Sequence, residues 1–195
     1  MQSQSLKGKL DSALQAILRM SRTPANYWGE FILDIPIGIF LITLGLRQPD
    51  IHPLVGFFTL VVGLFIFTGF EYIIHRWLFH GSFRIMVEGH RAHHENPQGY
   101  DGLPFFLPAL VLLSLVGLLS LVIPGGYAYL LIGALAFGYT IYGVGHFLIH
   151  HVRFQRDIPR HWAANHLIHH HHPDTNFGVT TPLWDRLFST RYVRP

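Results

Sequence analysis

Four apolar runs interrupt the polar positions of this 195-residue chain, at about residues 31–46, 54–80, 103–123 and 127–150. A helix needs roughly 20 apolar residues to cross the hydrocarbon core of a bilayer. Each run is therefore read as a transmembrane helix. The second and fourth exceed that length, so their C-terminal turns should project into headgroups or water. "RQPDIHP" (47–53) joins the first two runs and "PGG" (124–126) the last two. Connections this tight predict two helical hairpins. Residues 1–26 differ. Leu10, Leu14, Ile17 and Leu18 share one side of an amphipathic helix that either lies on the membrane surface or packs as an ordinary helix. The segment has no apolar signal-peptide core. Gly138, Gly143 and Gly145 allow close helix approach in the fourth run, and Pro104 and Pro108 predict a kinked entry to the third.

Charge orients these runs. Only 13% of residues are charged, against about 25% in a soluble domain. Lys7, Lys9, Arg19 and Arg22 precede the first run. Arg76, Arg84 and Arg91 lie between the second and third, and Arg153, Arg156, Arg160, Arg186, Arg191 and Arg194 follow the fourth. Only Arg47 falls on the other side. The positive-inside rule then puts both termini in the cytoplasm, of a bacterial inner membrane or an endoplasmic reticulum membrane. The net charge of +3 is spread beside apolar runs rather than gathered in a dense basic tract, which argues against nucleic acid as a partner. With no cysteine, disulfides and cysteine-held metals are excluded.

Histidine is the chemistry-bearing residue. Of fifteen, fourteen lie on or at the border of the cytoplasmic side, and only His52 sits in an outer loop. His75 and His80 end the second run. His90, His93 and His94 form an H-x2-HH in the following loop. His146 and His150 end the fourth run, and His166, His169 and His170 form a second H-x2-HH. Histidines three or four apart share a helix face, so their rings can point at one centre. His75 and His80 are five apart, about 140° around a straight helix. That pair needs the helix to unwind near His80, with Gly81 marking the end, or the two rings to serve different metals. Ten imidazoles exceed what one ion takes and suit two ions with about five nitrogens each. Imidazole accepts zinc, iron, copper or nickel. His52, His151 and His161 match no cluster and are read as ordinary polar residues. The run His169–His172 leaves the last box's register open, with His171 and His172 as alternative ligands.

Several longer motifs surround these histidines: "HRWLFH", "EGHRAHHENPQGYDGLPFFLP", "HFLIHH" and "NHLIHHHHPDTNFGVTTPLWDRLFST". Together, over about residues 71–191, they resemble the fatty acid hydroxylase superfamily, which also holds sterol desaturase-like and C4-methylsterol oxidase enzymes. "HH-x2-P-x3-DGL-x3-LP" and "NFGVTTPLWDRLF" are most similar to its fatty acid 2-hydroxylase branch. Carotenoid hydroxylases share the boxes but not the tail, and acyl-CoA desaturases do not share the ending. The resemblance implies one membrane-embedded, all-α domain over 1–195. Its four transmembrane helices would carry a cytosolic helical cap (81–102 and 151–195) that completes a dimetal site. It implies metal ligands at His75, His80, His90, His93, His94, His146, His150, His166, His169 and His170. It also implies O2-dependent hydroxylation of a lipid acyl chain, at C2 of a fatty acid or fatty-acyl lipid. Iron is the implied working metal, with zinc able to replace it in a purified sample. Relatives often carry a fused cytochrome b5. None is seen in this sequence, so a separate electron-transfer protein such as cytochrome b5 or ferredoxin is expected.

Side chains alone do not attack an aliphatic C–H bond, so a redox metal and O2 are expected to do so. The histidines hold metal and are not acids or bases, and no catalytic side chain is expected beyond the metal centre. Glu71 and Asp185 are candidates to orient the rings from behind, or else structural ion-pair partners, Asp185 with Arg186 or Arg191. Phe177, Trp184 and Tyr100 either line a substrate mouth or simply pack. Other readings stay open: sterol or carotenoid hydroxylation or desaturation within the superfamily, and outside it a metal transporter or a zinc-stabilised membrane scaffold.

Overall fold

The computed structural model describes residues 2–194. The described residues are helical, with irregular connections. Helix α1 is Gln2–Ser21, α2 Pro24–Leu46 and α3 Pro53–Ile73, the last continuing into a π-helical turn, Ile74–Phe79. Then come α4 Arg84–Glu95, α5 Leu107–Leu119, α6 Gly125–His151, α7 Asp157–His171 and the short α8 Leu183–Leu187.

Helix α2 starts earlier than its apolar run. Thr23 caps it, its side-chain oxygen accepting the Asn26 N–H at 3.2 Å, and Pro24 follows at the first position. Both are strong start signals. Tyr27, Phe31, Asp34, Gly38, Leu41 and Gly45 are buried along α2, at alternating spacings of four and three. That spacing makes a narrow stripe, and the stripe faces α6. Helix α6 is buried on several sides, at Ala128, Leu130, Ile132, Ala134, Leu135 and Ala136, because α2, α3 and α5 all pack on it. A Cβ on Gly63 of α3 would lie 2.6 Å from the Ala134 Cβ, and one on Gly133 would lie 2.6 Å from Ile42 Cγ1. Small residues at these crossings set how closely the backbones meet. Gly138, Gly143 and Gly145 face Phe67, Phe31 and Trp162 in the same way. Outward, Ile32, Phe40, Phe57, Phe65, Leu110 and Leu118 remain exposed, as lipid-facing side chains would be.

Three helices are long and apolar enough to cross a membrane: Pro24–Leu46, Pro53–Phe79 and Gly125–His151. The run expected at 103–123 is helical only over Leu107–Leu119, 13 residues. That is about 20 Å at 1.5 Å per residue. Its ends unwind into turns beside Pro104 and before Pro124. The segments that flank α5 nonetheless lie at opposite ends of the bundle. Before it, the Asn26 side chain bonds Leu103 O at 2.6 Å and accepts the Phe105 N–H at 2.9 Å, at the start of α2. After it, a Cβ on Gly126 would meet Ile51 at 2.8 Å and Gln48 at 3.0 Å, in the α2–α3 connection.

Only part of the apolar side of helix α1 is covered. Leu18 is buried, while Leu10 and Ile17 stay exposed. Gly63→Leu is expected to overpack the α3–α6 crossing, costing about 1–3 kcal/mol. A lower thermal midpoint in detergent would show it, and an unchanged midpoint would place the crossing elsewhere.

Candidate metal centre

The C-terminal turns of α3 and α6 meet the cap formed by α4, α7 and the 173–190 loop. The π turn reconciles His75 with His80. Its hydrogen bonds close over five residues, and the His80 N–H reaches the His75 carbonyl at 3.2 Å. Residues five apart thus lie one turn apart on the same side, and the two ring centroids are 5.2 Å apart. The helix does not fray here; it widens. A Cβ on Gly81 would collide with the Trp77 carbonyl oxygen, so the chain can leave the turn there only without a side chain.

The ten histidines converge in two groups of five: His75, His80, His90, His94 and His169, and His93, His146, His150, His166 and His170. Within each group the potential ligand atoms all lie within 4.8 Å of one another. Each H-x2-HH box is split between the groups. In α4, His90 and His94 stand one turn apart, while His93 sits about 100° from His94 around the axis and turns to the other group. In α7, His166 and His170 pair, and His169 crosses over. His171 and His172 join neither group. His171 is exposed, and His172 stacks on Tyr192 at 4.4 Å. His151 stacks on Phe147, and His161 is exposed with Nδ1 on the Asp157 carbonyl. His52 precedes α3, far from the cap.

The donor chemistry fits metal ions. His75 Nδ1 donates to the Phe177 carbonyl at 2.5 Å and His169 Nδ1 to the Thr175 carbonyl at 2.7 Å. A carbonyl only accepts, so both rings carry hydrogen on Nδ1 and aim the Nε2 lone pair inward. The Nε2 atoms approach one another at 2.9–3.1 Å throughout both groups. Two nitrogens about 2.1 Å from a common ion, at right angles, are about 3.0 Å apart. Burial strongly favours neutral rings, pushing His80 down to about 4 and His169 and His170 to about 3, with His93 and His166 well below the ordinary value. Neutral lone pairs this close repel unless a cation lies among them. The second group is held differently: His166 Nδ1 and His170 Nδ1 are buried without a partner.

Among the described residues, neither Glu71 nor Asp185 hydrogen-bonds a histidine ring. Both are buried and act one layer further out. Glu71 accepts the Val179 N–H at 2.5 Å, the Thr180 N–H at 3.1 Å and the Thr180 hydroxyl. Asp185 accepts the N–H groups of Phe177 and Gly178, at 2.8 and 2.9 Å, and the Thr190 hydroxyl at 2.8 Å. They hold the loop whose carbonyls hold His75 and His169. Asp185 forms no ion pair with Arg186 or Arg191 among the described residues. Asn176, in the left-handed region at φ 55, braces the same loop through Asn165 O and the Tyr192 N–H. The sequence reading missed Thr175, Asn176 and Thr180. The only local signal was asparagine's tolerance of that conformation. Phe177 packs on the histidine rings, Trp184 donates to Thr68 Oγ1 at 2.9 Å, and Tyr100 packs on Tyr27.

Beside the histidines a cavity of about 410 Å³ opens between α1, α2, α3, α4 and α6. Phe31, Phe67, Ile74, Phe79, Met86 and Leu107 give it apolar walls, and His90, His93 and His146 bring it to both groups. None of Phe177, Trp184 and Tyr100 lines it.

Residues 60–190 match the family model described as fatty acid hydroxylase. The chain belongs to the fatty acid hydroxylase family. It is similar to a dihydroceramide fatty acyl 2-hydroxylase of Arabidopsis thaliana, 30% identical over 86% of this chain and 74% of that protein. It is also similar to the Rattus norvegicus fatty acid 2-hydroxylase, at 30% over 85% of this chain and 44% of that one. The solved yeast Scs7p, of which the hydroxylase domain is visible, superposes with a TM-score of 0.76 at 25% identity, over 90% of this chain and 69% of that chain. Members so named are oxidoreductases, and this hydroxylase-family chain is one of them.

Asp185→Ala is expected to orphan the Phe177 and Gly178 N–H groups, at about 1–3 kcal/mol. Denaturation of the metal-free protein would measure the loss. A stability equal to wild type would mean the carboxylate does not hold the loop.

Proposed function

We propose that this chain hydroxylates C2 of a lipid-borne acyl chain, using O2 and two metal ions, iron in the working enzyme. The observation that carries the reading is the placement of His90, His93 and His146, from both five-histidine groups, in the wall of one apolar cavity. The curated relatives act on fatty acyl chains at this position by name. The first five-histidine group would hold one ion and the second the other, all ten through Nε2. Bound metal supplies the O2 activation that breaks a C–H bond beyond the reach of side chains. The protein's own part is orientation and exclusion. The Phe177 and Thr175 carbonyls hold His75 and His169 in the donor tautomer. The apolar walls accept an acyl chain and keep water away. Electrons come from a protein carrier, and the exposed Arg153, Arg156 and Arg191 suit an acidic one.

The reading extends to topology. The 103–126 segment runs between opposite ends of the bundle, which supports a fourth crossing by α5 with its flanking turns, in two hairpins. The cap and both termini then share the cytoplasmic side. This 195-residue sequence has no cysteine, so cysteines placed singly at His52 and Arg156 are expected to label from opposite faces of sealed vesicles. Labelling of both from one face would refute the topology.

For the chemistry, wild type is expected to hold two ions per chain. The double variant His146→Ala, His150→Ala should keep about one and lose lipid oxidation. Elemental analysis reads the first, and mass spectrometry of lipids after labelled O2 and a reductant reads the second. One labelled oxygen at C2 supports the proposal. A new double bond or a hydroxylated ring would move the protein to another reaction of the superfamily. Metal moved across vesicles with lipids unoxidised would make it a transporter.

A further inference from the structure

The cavity wall holds a second buried acid besides Glu71, and it is treated differently by the fold. Glu71 and Asp185 each spend both carboxylate oxygens on backbone or hydroxyl donors. Glu30 of α2 is 4% exposed and lines the cavity. Its Oε2 accepts the Tyr139 hydroxyl at 2.9 Å, but its Oε1 has no hydrogen-bond partner. The Leu103 amide faces the carboxylate without meeting hydrogen-bond geometry on it. Gly102 keeps the space beside Oε1 open, since a Cβ there would lie 2.9 Å from that oxygen. A buried acceptor left unmade costs free energy, so this unpartnered oxygen, on a residue of the cavity wall, is poised for a donor that arrives with the ligand.

We propose that Glu30, backed by Tyr139, is the specificity-determining acceptor that takes a hydrogen-bond donor, an amide N–H or a hydroxyl, from the polar end of the acyl lipid. It rests on the hydroxylase reading above. The surrounding charges support the choice of ligand class. Asp34, one turn further along α2, is 1% exposed with neither oxygen bonded, and no basic side chain pairs with either acid among the described residues. The one guanidinium in the cavity wall is that of Arg22, and it is engaged by Asp101 at 3.4 Å and by the Glu88 carbonyl at 3.3 Å. A free fatty-acid anion would find no unpaired cation in this wall and would meet Glu30, Glu71 and Asp101. A neutral lipid that brings an N–H or O–H satisfies Glu30 Oε1 instead. Tyr139 fixes the carboxylate: with its hydroxyl on Oε2, only Oε1 is left to the ligand.

The test measures binding rather than turnover. Zinc-loaded protein in nanodiscs is titrated with an N-acylated sphingoid base carrying a fluorescent acyl chain, and with the free fatty acid of the same chain. Wild type is expected to favour the N-acyl lipid by about fivefold to tenfold, the size of one hydrogen bond. Glu30→Leu should bring the ratio of the two affinities close to one. Glu30→Gln, which keeps an acceptor oxygen, should retain most of the preference, and Tyr139→Phe should lose part of it. Two zinc ions per chain in each variant would show that the fold and the histidine groups persist. Equal loss of both ligands in Glu30→Leu, or a wild type that prefers the free acid, would overturn the proposal. Selective binding that depends on Glu30, in a protein that oxidises no lipid, would refute the hydroxylase reading and leave this one standing.

Discussion

Ten imidazoles bring their Nε2 atoms to within 2.9–3.1 Å of a neighbour's, and the rest of the structure must hold the rings in that aim. Two rings are fixed by single hydrogen bonds from Nδ1 to a loop carbonyl, His75 to Phe177 and His169 to Thr175. The Phe177 carbonyl shares its peptide with the Gly178 N–H, which Asp185 holds, and the Thr175 carbonyl with the Asn176 N–H, which the Thr190 carbonyl holds, while Glu71 holds the next amides, of Val179 and Thr180. The carboxylates are buried, and such groups are tolerated only when their lone pairs are used. Glu71 belongs to α3 and Asp185 to α8, so the loop is clamped between the bundle and the end of the chain.

The bundle supplies the other half of the restraint. Close crossings at Gly63 and Gly133 fix α2 and α3 against α6. That fixes where the last turns of α3 and α6 end. His146 and His150 follow the ordinary helical period on α6. His75 and His80 do not, and the π turn places them within one continuous helical span, Pro53–Phe79. Widened turns of this kind recur at functional sites because they re-aim side chains inside a continuous helix.

The proposed hydroxylation needs an apolar route and a means of holding the lipid's polar end. The cavity meets the first need through its phenylalanine, leucine, isoleucine and methionine walls. For the second, the contrast among the four buried acids is informative: Glu71 and Asp185 are saturated by the fold, Asp34 is unpartnered but outside the cavity wall, and Glu30 keeps an unpartnered oxygen on a residue of that wall.

The ten histidines, the amphipathic start, the apolar runs and the absence of cysteine were all legible in the chain, because composition and helical period act locally. So was the family, through motifs spread over most of the chain. The run at 103–123 misled in length, since apolar composition does not register where prolines let a helix begin. Spacing alone also left His75 and His80 in conflict and left four consecutive histidines without a register. Those points depend on the path of the backbone: a π turn, a helix that ends at His171, and a loop that folds back on α3. The exchange of His93 and His169 between the groups needs the facing of α4 and α7 across the end of the bundle. Sequence by itself determined which side chains bring nitrogen to the cap. Only tertiary structure decided which five share a centre, because contacts between residues about 80 positions apart are set by packing and carry no local signal.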